Sequence, residues 1–243
     1  MLRLFKKSMQ TGRVTTGYPF TPDPAPPGFR GRPELAEAKC TRCGICVRHC
    51  PTGALSMEKA GTGTPRLKVE KCIFCGLCEE KCLPGAMTLS GRYELAAVAL
   101  RDKVRRIFGR SAHIRHLDAG SCNGCDWEMV ALTGPVYDIQ RLGFDFVASP
   151  RHADILMVTG PVTRNLEIAA LKTFAATPDP KLVVAVGTCA CSGGICATSY
   201  AHHSGVNNVL PVDVYIPGCP PRPQALIHGL MLAVEKSAME KLP

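Results

Sequence analysis

Two stretches of the chain, CTRCGICVRHCP at residues 40–51 and CIFCGLCEEKCL at residues 72–83, carry the same pattern of cysteines. In each stretch the cysteines follow the spacing C-x2-C-x2-C-x3-C. Three thiolates with this spacing can surround one corner of a four-iron cubane, whereas the fourth points away from it. The repeat therefore predicts two iron–sulfur sites, in a segment organised by metal ligation rather than by a large apolar core.

The fourth cysteine of each stretch is expected to serve the other cluster, as it does in two-cluster ferredoxins. This crossed ligation defines a first set and a second set, each expected to bind one [4Fe–4S] cluster. The first set is Cys40, Cys43, Cys46 and Cys82, and the second set is Cys72, Cys75, Cys78 and Cys50. Zinc knuckles and a disulfide framework are the alternatives. They are disfavoured because zinc sites usually present pairs of ligands and disulfides need an oxidising compartment.

The two stretches differ at the position directly after the last cysteine. Pro51 follows Cys50, but Leu83 follows Cys82, and Pro84 comes one residue later. The loop after Cys82 is therefore expected to differ in shape from the loop after Cys50. The matched small residues of the two halves indicate close approach of the backbone to a cluster; they are Gly44 and Gly76, Gly53 and Gly85, and Ala54 and Ala86.

Composition bounds the class of protein. The chain has 243 residues, of which 46% are hydrophobic, and this is enough for two compact domains. Its formal charge of +9 counts every cysteine as neutral. Three thiolate-bound clusters would contribute roughly −6 and leave about +3. The basicity is therefore interpreted as compensation for anionic clusters, and no nucleic-acid partner is expected, since basic and aromatic residues are not interleaved.

The chain up to residue 111 divides into three segments. Residues 1–39 form an N-terminal arm, with a basic amphipathic start and a proline-rich continuation that cannot be regular helix. Residues 40–90 form the dicluster domain, and residues 91–111 are predicted to be a linker containing a helix from Tyr93 to Arg106. The N-terminus lacks the apolar region of a signal peptide and a twin-arginine motif, so a cytoplasmic protein is expected. The amphipathic start could lie on a membrane surface or on a partner.

Residues 112–243 alternate between strand-like and helix-like segments. Apolar runs of strand length occur at Ile155–Val158, Leu182–Val186 and Val212–Ile216, with helix-like segments at Asn165–Ala176 and Gln224–Lys236. Alternation of this kind predicts βαβ units with helices on both faces of a parallel sheet. The predicted fold is thus an α+β dicluster ferredoxin-like domain followed by an α/β flavodoxin-like parallel-sheet domain.

A third set of cysteines follows the predicted strands of this second domain. Cys122 and Cys125 are separated by two residues, and Cys189 and Cys219 each come soon after a strand. Loops that leave the carboxyl ends of parallel strands meet at one edge of the sheet. These four cysteines are therefore candidates for a third [4Fe–4S] site.

The motifs around the third set carry a resemblance to a known family. SCNGCD at 121–126, GTCACSGG at 187–194 and PGCPPRP at 217–223 resemble the small subunit of membrane-bound group 4 [NiFe] hydrogenases, whose fold is shared with an iron–sulfur subunit of respiratory complex I. Residues 1–90 resemble the dicluster subunit of formate hydrogenlyase and complex I. The chain looks like a fusion of two such subunits, and the resemblance covers nearly all of it.

The resemblance implies a function, a ligand set and partners. It implies a third-cluster ligand set of Cys122, Cys125, Cys189 and Cys219, and an electron-transfer subunit of an oxidoreductase complex that is not catalytic alone. The expected partners are a [NiFe] hydrogenase large subunit, where protons are reduced to H₂, and further iron–sulfur or membrane subunits. The complex is expected on the inner side of the cell membrane, which this chain would reach through its partners or its arm.

Two other functions remain open from the sequence: electron delivery to quinone, as in complex I, and a non-catalytic redox-sensing or scaffold module. Complex I subunits have adjacent cysteines where this chain has Cys122 and Cys125, and this spacing favours the hydrogenase side. Cys191 and Cys196 are expected to be free thiols. Asp126 and Glu128 are interpreted either as surface carboxylates at the start of a helix or as residues that tune the third cluster.

Overall fold

A computed structural model describes residues 11–12, 14–58, 63–98 and 112–239. The basic amphipathic start at residues 1–10 lies outside the described residues, as does most of the predicted linker. Among the described residues, no helix combines the length and the apolar character needed to cross a bilayer.

The dicluster domain consists of two copies of one small unit. A one-turn helix contains the third cysteine of each copy, α1 at Ile45–Arg48 with Cys46 and α2 at Leu77–Glu80 with Cys78. Each helix is preceded by a glycine in the left-handed conformation, Gly44 or Gly76. Two antiparallel ribbons complete the domain: β1 (Pro33–Leu35) pairs with β4 (Met87–Leu89), and β2 (Leu55–Met57) pairs with β3 (Pro65–Leu67). The outer ribbon joins the first strand to the last, so the two copies close into one unit.

The C-terminal domain is built on one sheet of six strands. Its strands are β5 (Ala97–Val98), β6 (Ala112–Asp118), β7 (Phe144–Phe146), β8 (Ile155–Thr159), β9 (Leu182–Val186) and β10 (Val214–Ile216). They are ordered β5-β10-β9-β8-β6-β7, and all pairs are parallel except β5 with β10. Counted from β6, the parallel order is 2-1-3-4-5, which is the flavodoxin-like winding and confirms the predicted fold class.

The core lies on both faces of this sheet. Every residue of β8 and β9 is buried, and alternate side chains enter opposite cores: Ile155 and Met157 join one apolar cluster, and Leu156 and Val158 the other. Four helices follow in chain order: α3 (Gly124–Leu132), α4 (Glu167–Ala176), α5 (Gly187–Ser192) and α6 (Pro223–Met239). Helices α3 and α6 cover the first cluster, whereas α4 and α5 cover the second.

The helix predicted from Tyr93 to Arg106 is wrong over the part that the structure describes. Residues 93–96 are irregular, and Ala97–Val98 pair with Tyr215 and Val214 as the antiparallel edge strand β5. The apolar spacing that suggested a helix instead places Tyr93 and Ala96 against the core of the C-terminal domain. Residues 99–111 lie outside the described part.

The N-terminal arm crosses to the C-terminal domain. The Thr16 amide donates to the carbonyl of Val136 at 2.8 Å, and Arg141 donates to the carbonyl of Tyr18. Gln224 Nε2 donates to Asp23 Oδ2 at 2.6 Å. The arm therefore connects the dicluster domain, which it enters through β1, to α6 and the region after α3.

Candidate iron–sulfur sites

The cysteines of the first set line one cavity of about 350 Å³. Cys40, Cys43, Cys46 and Cys82 all contribute to its wall, and every lining residue lies between positions 35 and 87. Cys43 is exposed, and the pKa of its thiol is lowered, chiefly by the backbone N–H of Ile45. This cavity opens on the outer part of the dicluster domain.

The cysteines of the second set line a matching cavity of about 350 Å³. Cys50 comes from the first stretch, whereas Cys72, Cys75 and Cys78 come from the second. The structure thus brings together the same crossed sets that the spacing predicts. Burial raises the pKa of Cys72 to about 11 and that of Cys78 to about 12, and neighbouring thiols add to both shifts.

The fourth cysteine of each stretch accepts an equivalent hydrogen bond. The amide of Ala54 donates to Cys50 Sγ at 3.2 Å, and the amide of Ala86 donates to Cys82 Sγ at 3.3 Å. The preceding glycines, Gly53 and Gly85, have φ values of 60° and 61°. The expectation that Leu83 reshapes its loop is wrong, because these bonds and dihedrals are set by residues that the two loops share.

The third set gathers at the carboxyl edge of the parallel sheet. Cys122 and Cys125 follow β6 at the start of α3, Cys189 lies in α5 after β9, and Cys219 follows β10. Burial raises the pKa of Cys125, and the charges of Cys189, Cys219 and Cys122 raise it further. The pKa of Cys189 is raised to about 11, first by burial and then by Cys219 and Cys122. All four thiols therefore lie within electrostatic reach of one another.

Glycines leave the space that sulfur occupies in this third set. Gly187 has a φ of 85°, and a Cβ at this position would lie 2.5 Å from Cys125 Sγ. A Cβ on Gly194 would lie 3.1 Å from Cys189 Sγ, and a Cβ on Gly124 would lie 3.6 Å from Cys122 Sγ. A crowded group of soft thiol ligands, cradled by glycine, is chemically suited to an iron–sulfur cluster. Among the described residues, no three His, Cys, Asp or Glu side chains are arranged around a single metal ion.

Asp126 is not a surface carboxylate. Its side chain is 17% exposed, and its Oδ1 lies 2.8 Å from His116 Nε2 and accepts from Thr159 Oγ1 at 2.8 Å. Ser121 donates to its Oδ2. This polar group joins the ends of β6 and β8 beneath Cys125. The sequence did not reveal it, because His116 and Thr159 are distant in the chain and follow no motif.

The remaining residues singled out from the sequence lie apart from the third set or on its rim. Cys191 is buried in the core, where its Sγ donates weakly to the carbonyl of Ala185 at 3.7 Å, and Cys196 is exposed. Burial raises the pKa of Glu128, which lies near Arg222. Trp127 is 72% exposed on α3. Neither Cys191 nor Cys196 forms a disulfide with another described residue.

The second and third sets meet at the boundary between the domains. One surface cavity there is lined by Phe74 and Cys75 of the dicluster domain, by Cys219 and Arg222 of the C-terminal domain, and by Phe29 of the arm. The charge of Cys219 contributes to the raised pKa of Cys72. The guanidinium of Arg222 lies 5.1 Å from the ring centroid of Phe29 and 5.1 Å from that of Tyr93, and these two rings contact each other edge to face.

A repeat-built dicluster domain and a flavodoxin-like domain with a cysteine set at its switch edge together define an iron–sulfur protein. Two family models match the chain in this way. Residues 39–86 match the 4Fe-4S dicluster domain, and residues 122–233 match the NADH ubiquinone oxidoreductase 20 Kd subunit.

Curated relatives extend the match. The probable membrane-bound hydrogenase subunit mbhJ of Pyrococcus furiosus is 49% identical over 134 residues, which cover 55% of this chain and 80% of the relative. Formate hydrogenlyase subunit 7 of Escherichia coli is 46% identical over 51% of this chain and 49% of the relative, so the match spans about half of that protein. An NADH-quinone oxidoreductase subunit of Clostridium beijerinckii is 50% identical over 46% of this chain and 67% of the relative. The chain belongs to the family of the NADH ubiquinone oxidoreductase 20 Kd subunit, here joined to a dicluster domain.

Proposed function

We propose that this protein is the electron-transfer subunit of a hydrogenase of the formate hydrogenlyase type. When bound, its iron–sulfur clusters would take up and release single electrons. The observation that carries the proposal is that three cysteine sets share one chain, with Cys75 of the second set and Cys219 of the third lining the same cavity at the domain boundary. The protein's own contribution is to hold these sets at fixed spacing and to set the polarity around each.

Three [4Fe–4S] clusters would be held by the three sets. The crossed assignment of the first and second sets is supported by the walls of two separate cavities, because Cys82 lines the cavity of Cys40, Cys43 and Cys46, whereas Cys50 lines that of Cys72, Cys75 and Cys78. For the third set, a common site is supported by the positions of Cys122 and Cys125 after β6, of Cys189 after β9 and of Cys219 after β10, at the carboxyl edge of the parallel sheet. Cys191 is excluded from this set by its position in the apolar core.

The exposure of the three cysteine sets supports a direction of electron transfer, from the first set through the second to the third. The first set includes the exposed Cys43, whereas the second includes the buried Cys72, which adjoins the C-terminal domain. An external donor would reach the first set most easily. Electrons would then leave at the third set, where Cys122 and Cys219 are exposed and available to a partner protein.

A hydrogenase is favoured over a quinone-reducing complex by one observation, since Cys122 and Cys125 have the spacing of the hydrogenase side of the family. The length of the match does not separate the two functions, because a relative named as a hydrogenase subunit and one named as an NADH-quinone oxidoreductase subunit each match over 55% of this chain. The proposed partners are a [NiFe] hydrogenase large subunit at the third set and further iron–sulfur or membrane subunits. These subunits would keep the chain at the inner side of the cell membrane.

The quinone alternative keeps the same three sites and changes only the partner. It draws support from the 50% identity to a component of NADH-quinone oxidoreductase. The metal content of the purified complex separates the two functions, since only a hydrogenase partner brings nickel. Nickel without quinone reduction supports the proposal, and quinone reduction without nickel supports the alternative.

Replacing Cys189 by alanine tests the proposal, with Cys191→Ala as the matched control in the same short helix. In the complex, we expect C189A to abolish H₂ production and to lower iron from about twelve to about eight atoms per chain. The signals of the two dicluster-domain sites should remain. C191A should retain its iron and its activity, apart from a small loss of stability. Full activity in C189A, or about eight irons in the unaltered chain, would contradict the scheme.

A further inference from the structure

One buried hydroxyl joins the second and third cysteine sets. Thr188 is 1% exposed, and it directly precedes Cys189 in α5. Its Oγ1 lies 2.7 Å from the carbonyl oxygen of Cys72 and 3.1 Å from that of Gly218. The residue therefore contacts the backbone of a second-set cysteine and the residue before third-set Cys219.

The direction of these bonds follows from the available protons. The Gly218 carbonyl already accepts the backbone N–H of Thr188 at 2.8 Å. A threonine hydroxyl has one proton to donate. The shorter distance, 2.7 Å, assigns that proton to the carbonyl oxygen of Cys72. Cys72 is a buried residue. Thr188 thus makes one bond within the third site and one bond to the second.

Ser192 extends this contact by one helical turn. Its Oγ lies 2.8 Å from the carbonyl of Glu70, to which it donates. Thr188 and Ser192 are four residues apart, so their side chains lie on the same face of α5. This face meets the segment from residue 69 to Cys72, which carries a second-set ligand at its end. Two hydroxyls of one helix consequently hold the backbone that positions Cys72.

We propose that Thr188 is a positioning residue that fixes the spacing between the second and third cluster sites. The inference rests on the proposed function, because it concerns transfer between two of its clusters. The Thr188–Cys72 hydrogen bond also connects Cys72 directly to the residue that precedes Cys189. Electron tunnelling falls steeply with separation, so a small loosening at this bond acts directly on the rate.

The test compares three variants of the full chain in its complex. Thr188→Val keeps the shape of the side chain but removes the donor, and Thr188→Ser keeps the donor. Thr177→Val is the matched control, because Thr177 is equally buried at 1% and donates to the Thr173 carbonyl at 2.9 Å, away from the cysteine sets. The readouts are iron content, the magnetic interaction between the reduced second and third clusters in EPR, and turnover with the protein donor.

In T188V we expect full iron content, a weakened magnetic interaction and slower turnover, because the tunnelling rate falls as the separation between the two clusters grows or fluctuates. T188S and T177V should match the unaltered protein. An unchanged magnetic interaction and turnover in T188V would overturn the inference, as would equal losses in T188S. Absence of the clusters from the unaltered chain would instead overturn the proposed function.

A second measurement applies if T188V loses iron. Ser192→Ala leaves the residues beside the ligands intact but removes the bond to Glu70. Hydrogen–deuterium exchange should then be faster by a few fold at the amides of residues 69–72, with a correspondingly smaller decrease in the magnetic interaction. Exchange and magnetic interaction that both equal those of the unaltered chain would show that α5 does not hold this segment.

Discussion

The two halves of the dicluster domain carry the same ligands in opposite surroundings. Arg42 and Phe74 occupy equivalent positions between the first two cysteines, with φ values of 58° and 54°. Arg42 is exposed, whereas Phe74 is 9% exposed and packs with Cys72 and Ala54. The backbone and the ligands are repeated, but the side chains between the ligands are not. The residues between the ligands therefore determine which cluster site is exposed and which is buried. This difference in exposure is the basis for the proposed direction of electron transfer.

The largest expected effect comes from removing the equivalent first ligands, Cys40 and Cys72. Cys40→Ala and Cys72→Ala should each lose one cluster. With a small redox dye as the electron donor, C40A should retain much of its H₂ production, because the dye can reduce the second site directly. C72A should fall below about a hundredth, since its lost site adjoins the third set. Equal H₂ production by C40A and C72A with the dye would contradict the proposed order of electron transfer from the first site to the second and then to the third.

Stability should separate the halves next. Phe74→Ala should lower the free energy of unfolding by about 3 kcal/mol, because it truncates a buried aromatic side chain. Arg42→Ala should change it by no more than about 0.5 kcal/mol, as is usual at an exposed position. The strain of alanine at positive φ is common to both variants and cancels. Denaturant unfolding followed by circular dichroism measures the difference, and similar losses would show that both positions are structurally equivalent.

Reduction potentials test whether the crossed sets bind as proposed. Ala54→Pro removes the N–H that donates to Cys50, and Ala86→Pro removes the N–H that donates to Cys82. Each change should lower the potential of one cluster by tens of millivolts, since N–H···S bonds stabilise the reduced, more negative state. Under crossed ligation, A54P affects the second-set cluster and A86P the first. Redox titration by EPR identifies the cluster, and the reverse assignment would contradict the crossing.

The smallest effect is expected at Leu83, which occupies the position that corresponds to Pro51 in the first stretch. Leu83 is 90% exposed, and its loop makes the same hydrogen bonds as the loop that contains Pro51. Leu83→Pro should therefore change stability by less than about 1 kcal/mol, through the lower entropy of the unfolded chain. Pro51→Leu provides the converse substitution. A loss of the first-set cluster in L83P would mean that the two loops differ after all.

Cysteine spacing and strand periodicity allowed much of the fold to be predicted. The strand at Leu182–Val186 has the predicted bounds, and the strand at Ile155–Thr159 extends the prediction by one residue. Both are completely buried, so their sequences are uninterrupted apolar runs that are easily recognised. The grouping of the first two cysteine sets was predictable because the repeated spacing C-x2-C-x2-C-x3-C is local, and the structure places the two crossed sets at separate cavities.

Features that depend on distant contacts were not predictable. The segment after Tyr93 has an apolar spacing compatible with a helix, yet Ala97–Val98 pair with β10, more than a hundred residues later. The role of Thr188 could not be predicted from the sequence, because a threonine next to a cysteine belongs to no recognisable motif. Its hydrogen-bond partner Cys72 also lies in the other domain. Asp126 looked exposed because the groups that cover it come from separate strands.

The edge strand β5 has a consequence for assembly. It carries the chain directly from the dicluster domain into the sheet of the C-terminal domain, where it pairs with β10. Joining two modules in one chain makes their encounter intramolecular, with an effective concentration in the millimolar range for a short connection. Their stoichiometry is then fixed at one to one, at any level of expression. If the two domains separate, they close again without competition from free copies of either.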